Sequence, residues 1–402
     1  MKILYALSLK FPFGRAYASR ALNLCRALRD AGHEVSVFCD YLSEEVERSA
    51  DGGASFEGLS VFTTYPTQEG IRSLKRRLFV SRDALRALDR LLTERRFDLI
   101  LSSSTPDRFA GVLRLAKGHG VPLTMEICEW FDSYSWTYGK LDPRHLQCER
   151  CWKRSYPRAD GVVAISRLLE KTFAEAGLPV IRIPTVLDIS AMSYRGKADG
   201  EAIRLLFAGD ISTGKDRLIE AIEAVSRTTY ARPVTLDVYG PGAAEVAAQS
   251  EGALSEEDLR AMENVHIHGF RPQGEIHAKC LESDFGLILR PDRRSSNAGF
   301  PTKLAEYMAA GTPVIANDTG DIGVIIEDGT NGFIVRDIRP QTIRALLERI
   351  TAMTAEELSA MRKSARKTAE TRFDYRIYRD ELSRFVTQVS ESRNEGKQRM
   401  ER

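Results

Sequence analysis

Residues 290–335 read RPDRRSSNAGFPTKLAEYMAAGTPVIANDTGDIGVIIEDGTNGFIV. An apolar strand over 285–289 ends at Arg290, and a polar loop with Arg293 and Arg294 follows. Gly299-Phe300-Pro301 then leads into a helix predicted over 302–310, which carries Thr302, Lys303 and Glu306. Unpaired N–H groups at such a helix start, with the dipole behind them, suit a phosphate or diphosphate. Gly299 lets the backbone approach a ligand closely, and Lys303 adds charge. Glu306, one turn on, stands where a carboxylate accepts the hydroxyls of a ribose on that diphosphate. Taken alone, Lys303 and Glu306 also read as an i,i+3 surface pair worth about 0.3 kcal/mol.

The same alternation extends upstream. Strands are predicted over 203–208, 234–239 (ending in Gly240-Pro241-Gly242), 265–268, 313–316 and 332–335, with a helix over 216–227. Helices over 340–352, 355–371 and 375–392 close the chain. An earlier series opens with a strand over 2–9, a break at Phe11-Pro12-Phe13-Gly14 and a helix over 18–31. That helix puts Ala21, Leu22, Cys25 and Leu28 on one face. Gly32 caps it, and a strand over 34–39 completes a βαβ unit whose right-handed crossover implies a parallel sheet. Further strands are predicted over 59–63, 99–102, 123–127, 161–165 and 180–183. Residues 193–202 (SYRGKADGEA) have the composition of a linker. The expected fold is α/β, with two doubly wound Rossmann-like domains, 1–190 and 200–373, facing across a ligand cleft at the carboxyl ends of their strands.

Composition sets the outer limits. The 402 residues predict two or three domains, and 43% apolar with 28% charged residues excludes disorder and coiled-coil arrays. Lys and Arg number 58 against 56 Asp and Glu, a net charge of +2 that demands no nucleic acid. No apolar run is long enough to span a bilayer. Lys2, the short apolar stretch and Ala16-Tyr17-Ala18 imitate a signal peptide, but Lys10 and Pro12 interrupt the pattern and the segment reads as the first strand. Six scattered cysteines suit a reducing compartment, by default the cytosol. Cys148 and Cys151, near His145 and Cys128, form a lone CxxC and read as unlinked thiols on one helix rather than a zinc site. His266, His268 and His277 read as structural. Residues 72–96 form a basic amphipathic helix, either an ordinary surface helix or a contact for an anionic membrane or lipid-linked acceptor.

The long stretch resembles the donor-binding segment of glycosyltransferase family 4, retaining nucleotide-sugar transferases of GT-B fold. Glu306, residues 311–316 (GTPVIA) and residues 328–335 (DGTNGFIV) fill the family's second Glu, its AxGxPVIA run and its dGxnGfLv run. Residues 159–166 (ADGVVAIS), residues 183–188 (IPTVLD) and the glycine loop at Gly14 continue the resemblance over nearly the whole chain. It departs at two points. Ala298 stands where the family's first Glu contacts the donor sugar, leaving that contact to backbone or to Asn297. Asp210 follows Gly209 where the family has Arg, so only Lys215 keeps its role and Arg290 is the candidate to supply the missing charge.

The resemblance implies a metal-independent glycosyl transfer that needs no cofactor beyond the nucleotide-diphosphate sugar, a UDP-sugar among the candidates. Residues 200–373 are expected to bind the donor through Gly209, Phe270, Arg290, Asn297, Gly299, Phe300, Pro301, Thr302, Lys303 and Glu306, together with Gly14 from the first domain. Lys215, Glu129 and Glu306 are the expected catalytic residues. Residues 1–190, with 374–402 crossing back to them, are expected to hold a glycan, lipid-linked or protein-linked acceptor through Glu126, Glu129 and Trp130. Expected roles are polysaccharide biosynthesis or protein glycosylation, in the cytoplasm or at the inner face of the membrane. A nucleotide-sugar epimerase and a catalytically inactive subunit partnering an active transferase are the competing readings. The run from Gly299 to Asp318 opposes the first; Ala298 and Asp210 support the second.

Overall fold

A computed structural model describes residues 1–402 apart from 9, 15, 45, 49–53, 66–73, 134–135, 195–199, 212–213, 215, 227–228 and 402, and leaves aside the side chains of 47–48, 74–80, 273 and 394–401. The chain divides into two compact units, Met1–Leu187 with Tyr375–Arg402, and Asp188–Asp374.

In chain order the first unit comprises β1 (Lys2–Leu7), β2 (Lys10–Phe11), α1 (Ala16–Asp30), β3 (Glu34–Leu42), β4 (Glu47–Arg48), β5 (Ala54–Phe56), β6 (Leu59–Tyr65), α2 (Leu74–Glu94), β7 (Leu99–Ser103), α3 (Pro106–His119), β8 (Leu123–Ile127), α4 (Pro143–Arg154), β9 (Gly161–Ala164), α5 (Arg167–Glu175) and β10 (Val180–Arg182). Its strands run β10-β9-β8-β7-β1-β3-β6-β5-β4, parallel except for the β4–β5–β6 edge. β1 is buried almost throughout because helices cover both faces of the sheet. A short strand, β2, runs into the break expected at Phe11-Pro12-Phe13-Gly14; it pairs with β3 and buries Phe11.

The second unit comprises β11 (Ile203–Ala208), α6 (Ile219–Ser226), β12 (Val234–Tyr239), α7 (Ala243–Gln249), α8 (Glu256–Ala261), β13 (Val265–Gly269), α9 (Gln273–Glu282), β14 (Phe285–Ile288), α10 (Arg294–Ala298), α11 (Thr302–Ala309), β15 (Val314–Asn317), α12 (Ile322–Ile325), β16 (Gly332–Val335), α13 (Pro340–Thr351) and α14 (Ala355–Arg372). Its sheet order, β13-β12-β11-β14-β15-β16, is all parallel and is the doubly wound order 3-2-1-4-5-6. The order in which strands are added therefore reverses between β11 and β14, and in the first unit between β1 and β7. Ligands of such sheets bind outside the carboxyl ends of those strands.

Two boundaries differ from expectation. Residues 188–194 pack with the second unit, because Arg366 of α14 donates to the carbonyls of Ile189, Met192 and Ala309 and faces the Tyr194 ring. The helix expected from 216 begins at Ile219, which leaves Asp216 in the loop after β11. The last helix, α15 (Arg379–Glu401), belongs to the first unit. Leu382, Val386 and Val389 join the core of Ile3, Tyr5 and Leu28, and Tyr375 just before it donates to Asp30 at 2.9 Å.

Candidate active site

At the carboxyl end of the second sheet, two cations converge on one carboxylate. Lys303 Nζ donates to Asp216 Oδ2 at 2.7 Å, and Arg290 Nε lies 3.5 Å from Asp216 Oδ1. All three side chains are nearly buried, at 11%, 11% and 5% exposure. The Arg290–Asp216 contact is an ion pair. Burial pushes the Asp216 carboxyl up, but Lys303 and Arg290 more than offset this and hold it below the ordinary carboxylate range. With two positive charges against one negative, the cluster keeps a surplus of +1 beside the start of α11.

Neighbouring residues set this geometry. Lys303 lies over the Phe207 ring, 4.6 Å from its centroid. Gly209 leaves room for the ammonium, since a Cβ there would stand 2.9 Å from Nζ. Gly240, at φ +115°, lets the chain after β12 approach the chain after β11: a Cβ there would fall 2.0 Å from the Gly209 carbonyl oxygen. One turn after Lys303, Tyr307 anchors α11 by accepting the Ala208 N–H at 3.0 Å, its ring seated over Gly286. Asn317 fixes the Arg290 backbone, accepting its N–H at 2.8 Å and donating to its carbonyl at 2.7 Å.

Other expected donor residues fall into place or are reassigned. Lys303 serves Asp216 and not the surface pair expected with Glu306. Glu306 is half-buried, near enough to Cys280 of α9 for its charge to add to the burial that raises that thiol. The Phe300 ring is buried in an edge contact with Phe373, 5.7 Å between centroids. Asn297 is a correction, since its amide donates to Asp292 and accepts from the Gly320 N–H, tying two loops together rather than standing ready for a sugar hydroxyl. Ala298 is fully buried. Gly299 ends α10, Pro301 is buried at the start of α11 and Thr302 is half-buried beside it. Arg293 and Arg294, expected in a solvated loop, are half-buried at the start of α10. Phe270 is 83% exposed just beyond β13. Lys215 lies outside the described residues. Gly14 is exposed, and neither crowding nor a positive φ demands glycine there.

In the first unit, a cavity of about 320 Å³ opens at the carboxyl ends of β1, β7 and β8. Ser8, Tyr17, Ser103, Thr105, Glu129 and Trp152 are among its lining residues. Glu126 also borders it, but the expectation that it meets an acceptor is corrected by its bonding. Its carboxylate accepts from Tyr5 Oη and from Arg20 Nε, the latter at 2.5 Å, and its side chain is only 2% exposed. Arg20 in turn donates to the carbonyls of Ile183, at 2.9 Å, and Pro184. Glu126 thus locks β8, α1 and the segment after β10 together. Trp130 stacks on Trp152 at 4.0 Å, so that ring face is not offered to a sugar. Glu129 lines the cavity, and its charge adds to the burial that raises the Tyr17 phenol.

Residues 15–186 match the family model described as a glycosyl transferase 4-like domain, and residues 202–353 that of glycosyl transferases group 1. The chain belongs to the GT-B glycosyltransferases of the family 4 type. It is 26% identical over 263 residues to the amylovoran biosynthesis glycosyltransferase AmsK of Erwinia amylovora, a match covering 62% of each chain. The chain thus spans about three fifths of that relative's length. Among solved structures, the fold is shared with sucrose-phosphate synthase from Thermosynechococcus elongatus, at TM-score 0.73 and 13% identity, over 98% of this chain and 100% of that one. HepE of Anabaena, solved with UDP-glucose, matches at TM-score 0.66 and 17% identity, over 98% and 100%.

Within this family 4 protein, the residues that sequence reasoning missed are those without chemistry of their own at the motif. Asp216 falls at the start of the helix predicted over 216–227, Gly286 within the strand predicted over 285–289 and Tyr307 within the helix predicted over 302–310, and Asn317 follows the strand predicted over 313–316. The one available signal was Asp216 itself, an acidic residue directly after Lys215 in an otherwise phosphate-seeking loop. The lone CxxC gives a plain outcome: Cys148, Cys151 and His145 are buried on α4, and both thiols are free. Burial pushes each thiol up to about 11. His268 is structural, stacked on Tyr239 and 2.6 Å from Asp237. In α2, Ala84, Leu88, Leu91 and Leu92 are buried while Arg82, Arg86 and Arg90 face outward. No helix among the described residues is long and apolar enough to cross a membrane.

Proposed function

We propose that this protein is a retaining glycosyltransferase that moves a sugar from a UDP-sugar to a glycan acceptor in bacterial surface-polysaccharide synthesis. The observation that carries this reading is the buried Arg290–Asp216–Lys303 cluster beside the start of α11, at the point where the strand order of the second sheet switches. Negative charge grows on the leaving diphosphate as the glycosidic bond breaks through an oxocarbenium-like state. A surplus cation and preorganised N–H donors stabilise that charge, each such donor worth about 3 kcal/mol. The acceptor hydroxyl's proton passes to an oxygen of the leaving phosphate, so the chain needs no dedicated base. UDP is preferred because the HepE fold carries UDP-glucose, and a polysaccharide because AmsK acts in amylovoran synthesis.

The test is a panel of UDP-, GDP- and ADP-sugars, read by thermal shift and by slow donor hydrolysis, with the anomer of any product assigned by NMR. Stabilisation by a UDP-sugar and an α-linked product from an α-linked donor support the reading. The competing reading, an inactive subunit, rests on the fully buried Ala298 in place of the family's first Glu. It prevails when nucleotide binds but no donor is hydrolysed.

A further inference from the structure

Helix α11 has only eight residues, a length of about 12 Å. So short a helix has little stability of its own, and its position is set by what holds it along its length. Lys303 in the Asp216 cluster holds the first turn, and Tyr307 on the Ala208 N–H holds the next. The far end closes on Gly311, at φ +74°. There the Gly311 N–H donates to the Met308 carbonyl at 3.0 Å and the Thr312 N–H to the Tyr307 carbonyl at 2.9 Å. That turn passes over the Ala309 carbonyl. The helical donor four residues on would be Pro313, which has no N–H to give.

Arg366 of α14 makes that bond. Its Nη1 donates to the Ala309 carbonyl at 2.6 Å and to that of Met192 at 3.2 Å, and its Nη2 donates to the Ile189 carbonyl at 3.1 Å. Nε donates to Glu370, one turn along α14, at 2.9 Å. Tyr194, its ring centroid 5.5 Å from the guanidinium carbon, also rests on Gly311, where a Cβ would stand 2.3 Å from Tyr194 Cε2. One guanidinium, 14% exposed, thus joins the end of α11, the segment 189–194 near the start of the second unit, and α14. Its charge also complements the negative end of the α11 dipole. The planar fork of arginine reaches carbonyls on several sides at once, which the point charge of lysine does not.

Resting on the transferase reading above, we infer that Arg366 is a positioning residue of the donor site: by making the bond that Pro313 cannot, and tying the end of α11 to residues 189–194, it fixes where α11 starts and so where Lys303 and the first-turn N–H groups meet the leaving diphosphate. Arg366 stands at the opposite end of α11 from Lys303 and acts through the helix. A slip at the far end travels along a hydrogen-bonded rod, and misplacement by about 1 Å at a reacting group costs about 100-fold. The Asp216 and Tyr307 anchors limit the slip, so a smaller loss is expected here.

The full chain is titrated calorimetrically with UDP, GDP and ADP, well below its melting temperature, and the nucleotide that the wild type binds best is carried to the variants. Arg366→Met is expected to weaken that nucleotide at least about fivefold. Arg366→Lys, which keeps the charge but not the fork, is expected to fall between Met and wild type. Gly311→Ala, which drives a Cβ into the Tyr194 ring and leaves Arg366 in place, should weaken binding in the same direction. Leu382→Ala, in the core of the first unit, controls for lost stability: it should lower the melting temperature and leave affinity within about twofold of wild type. The deciding readout is the Lys303→Ala, Arg366→Met double variant. Residues at opposite ends of a helix ordinarily act independently, so their fold-losses would multiply. Action through α11 predicts a double loss clearly smaller than that product. Losses that multiply overturn the inference, as does wild-type affinity in Arg366→Met. Where Arg366→Met does not fold, wild-type affinity in both Arg366→Lys and Gly311→Ala overturns it. A wild type that binds none of the three nucleotides removes the transferase reading itself, whereas nucleotide binding that these variants leave unchanged removes only the role of Arg366.

Discussion

Lys303 Nζ and Asp216 Oδ2 stand 2.7 Å apart, joining residues 87 positions distant in the chain into a buried ion pair. Arg290 closes on the same carboxylate from the end of β14. Asp216 therefore does two things: it keeps two like charges side by side, and it lowers their combined charge. Breaking a buried pair on one side leaves the other charge uncompensated, at a cost of about 3 kcal/mol. Asp216→Asn is expected to lose about that much in urea unfolding at neutral pH.

The pair also sets an acid limb. The carboxyl of Asp216 is held below its ordinary value of roughly 3.9, so its stabilisation is fully present above that value and is lost as pH falls through the lower folded value. The gap in melting temperature between wild type and Asp216→Asn is expected to narrow steadily as pH is lowered from about 5 to about 2. A gap that stays constant over that interval places the acid sensitivity elsewhere.

Removing the cation should act on the donor more than on the fold. Lys303→Ala is expected to slow UDP-sugar hydrolysis about a hundredfold. Gly209→Ala pushes on the same ammonium through a Cβ 2.9 Å from Nζ, a flexible end that yields. It should weaken UDP binding several-fold in calorimetry while moving the melting temperature little.

Gly286 presents the opposite case. A Cβ there would stand 2.2 Å from Tyr307 Cδ2, on a ring that packing and the Ala208 N–H hold in place. Gly286→Ala is expected to cost about 2 kcal/mol in unfolding free energy, as overpacking does. Denaturant titration followed by circular dichroism measures it.

Glu126 and Glu129 are three residues apart and should separate cleanly. Glu126→Gln uncouples Arg20, which is 4% exposed, and is expected to destabilise by about 3 kcal/mol. Glu129→Gln is expected to melt with the wild type and to lose transfer to acceptor. Melting curves and product formation, measured on both, give the comparison.

Leu382 of α15 is fully buried against the first sheet's core. Leu382→Ala is expected to cost about 3 kcal/mol in denaturant titration, the cavity penalty of a core leucine. A value near zero would mean that α15 only lies on the surface.

Much of this molecule is legible along the chain. Strands 123–127, 203–208, 234–239 and 332–335 fall where apolar runs place them, because a strand covered on both faces is apolar at most of its positions. The loop and Gly299 ahead of α11, with Lys303 in its first turn, read as an anion site for an equally local reason: helix starts expose N–H groups. Tertiary structure alone decided which side chains share that site. Burial turned Lys303 from a surface partner of Glu306 into the partner of Asp216, sent Phe300 to Phe373, and committed Glu126 to Arg20. Helical periodicity and motif spacing describe neighbours a few residues apart, whereas a buried charge seeks whichever partner the folded sheet brings within reach.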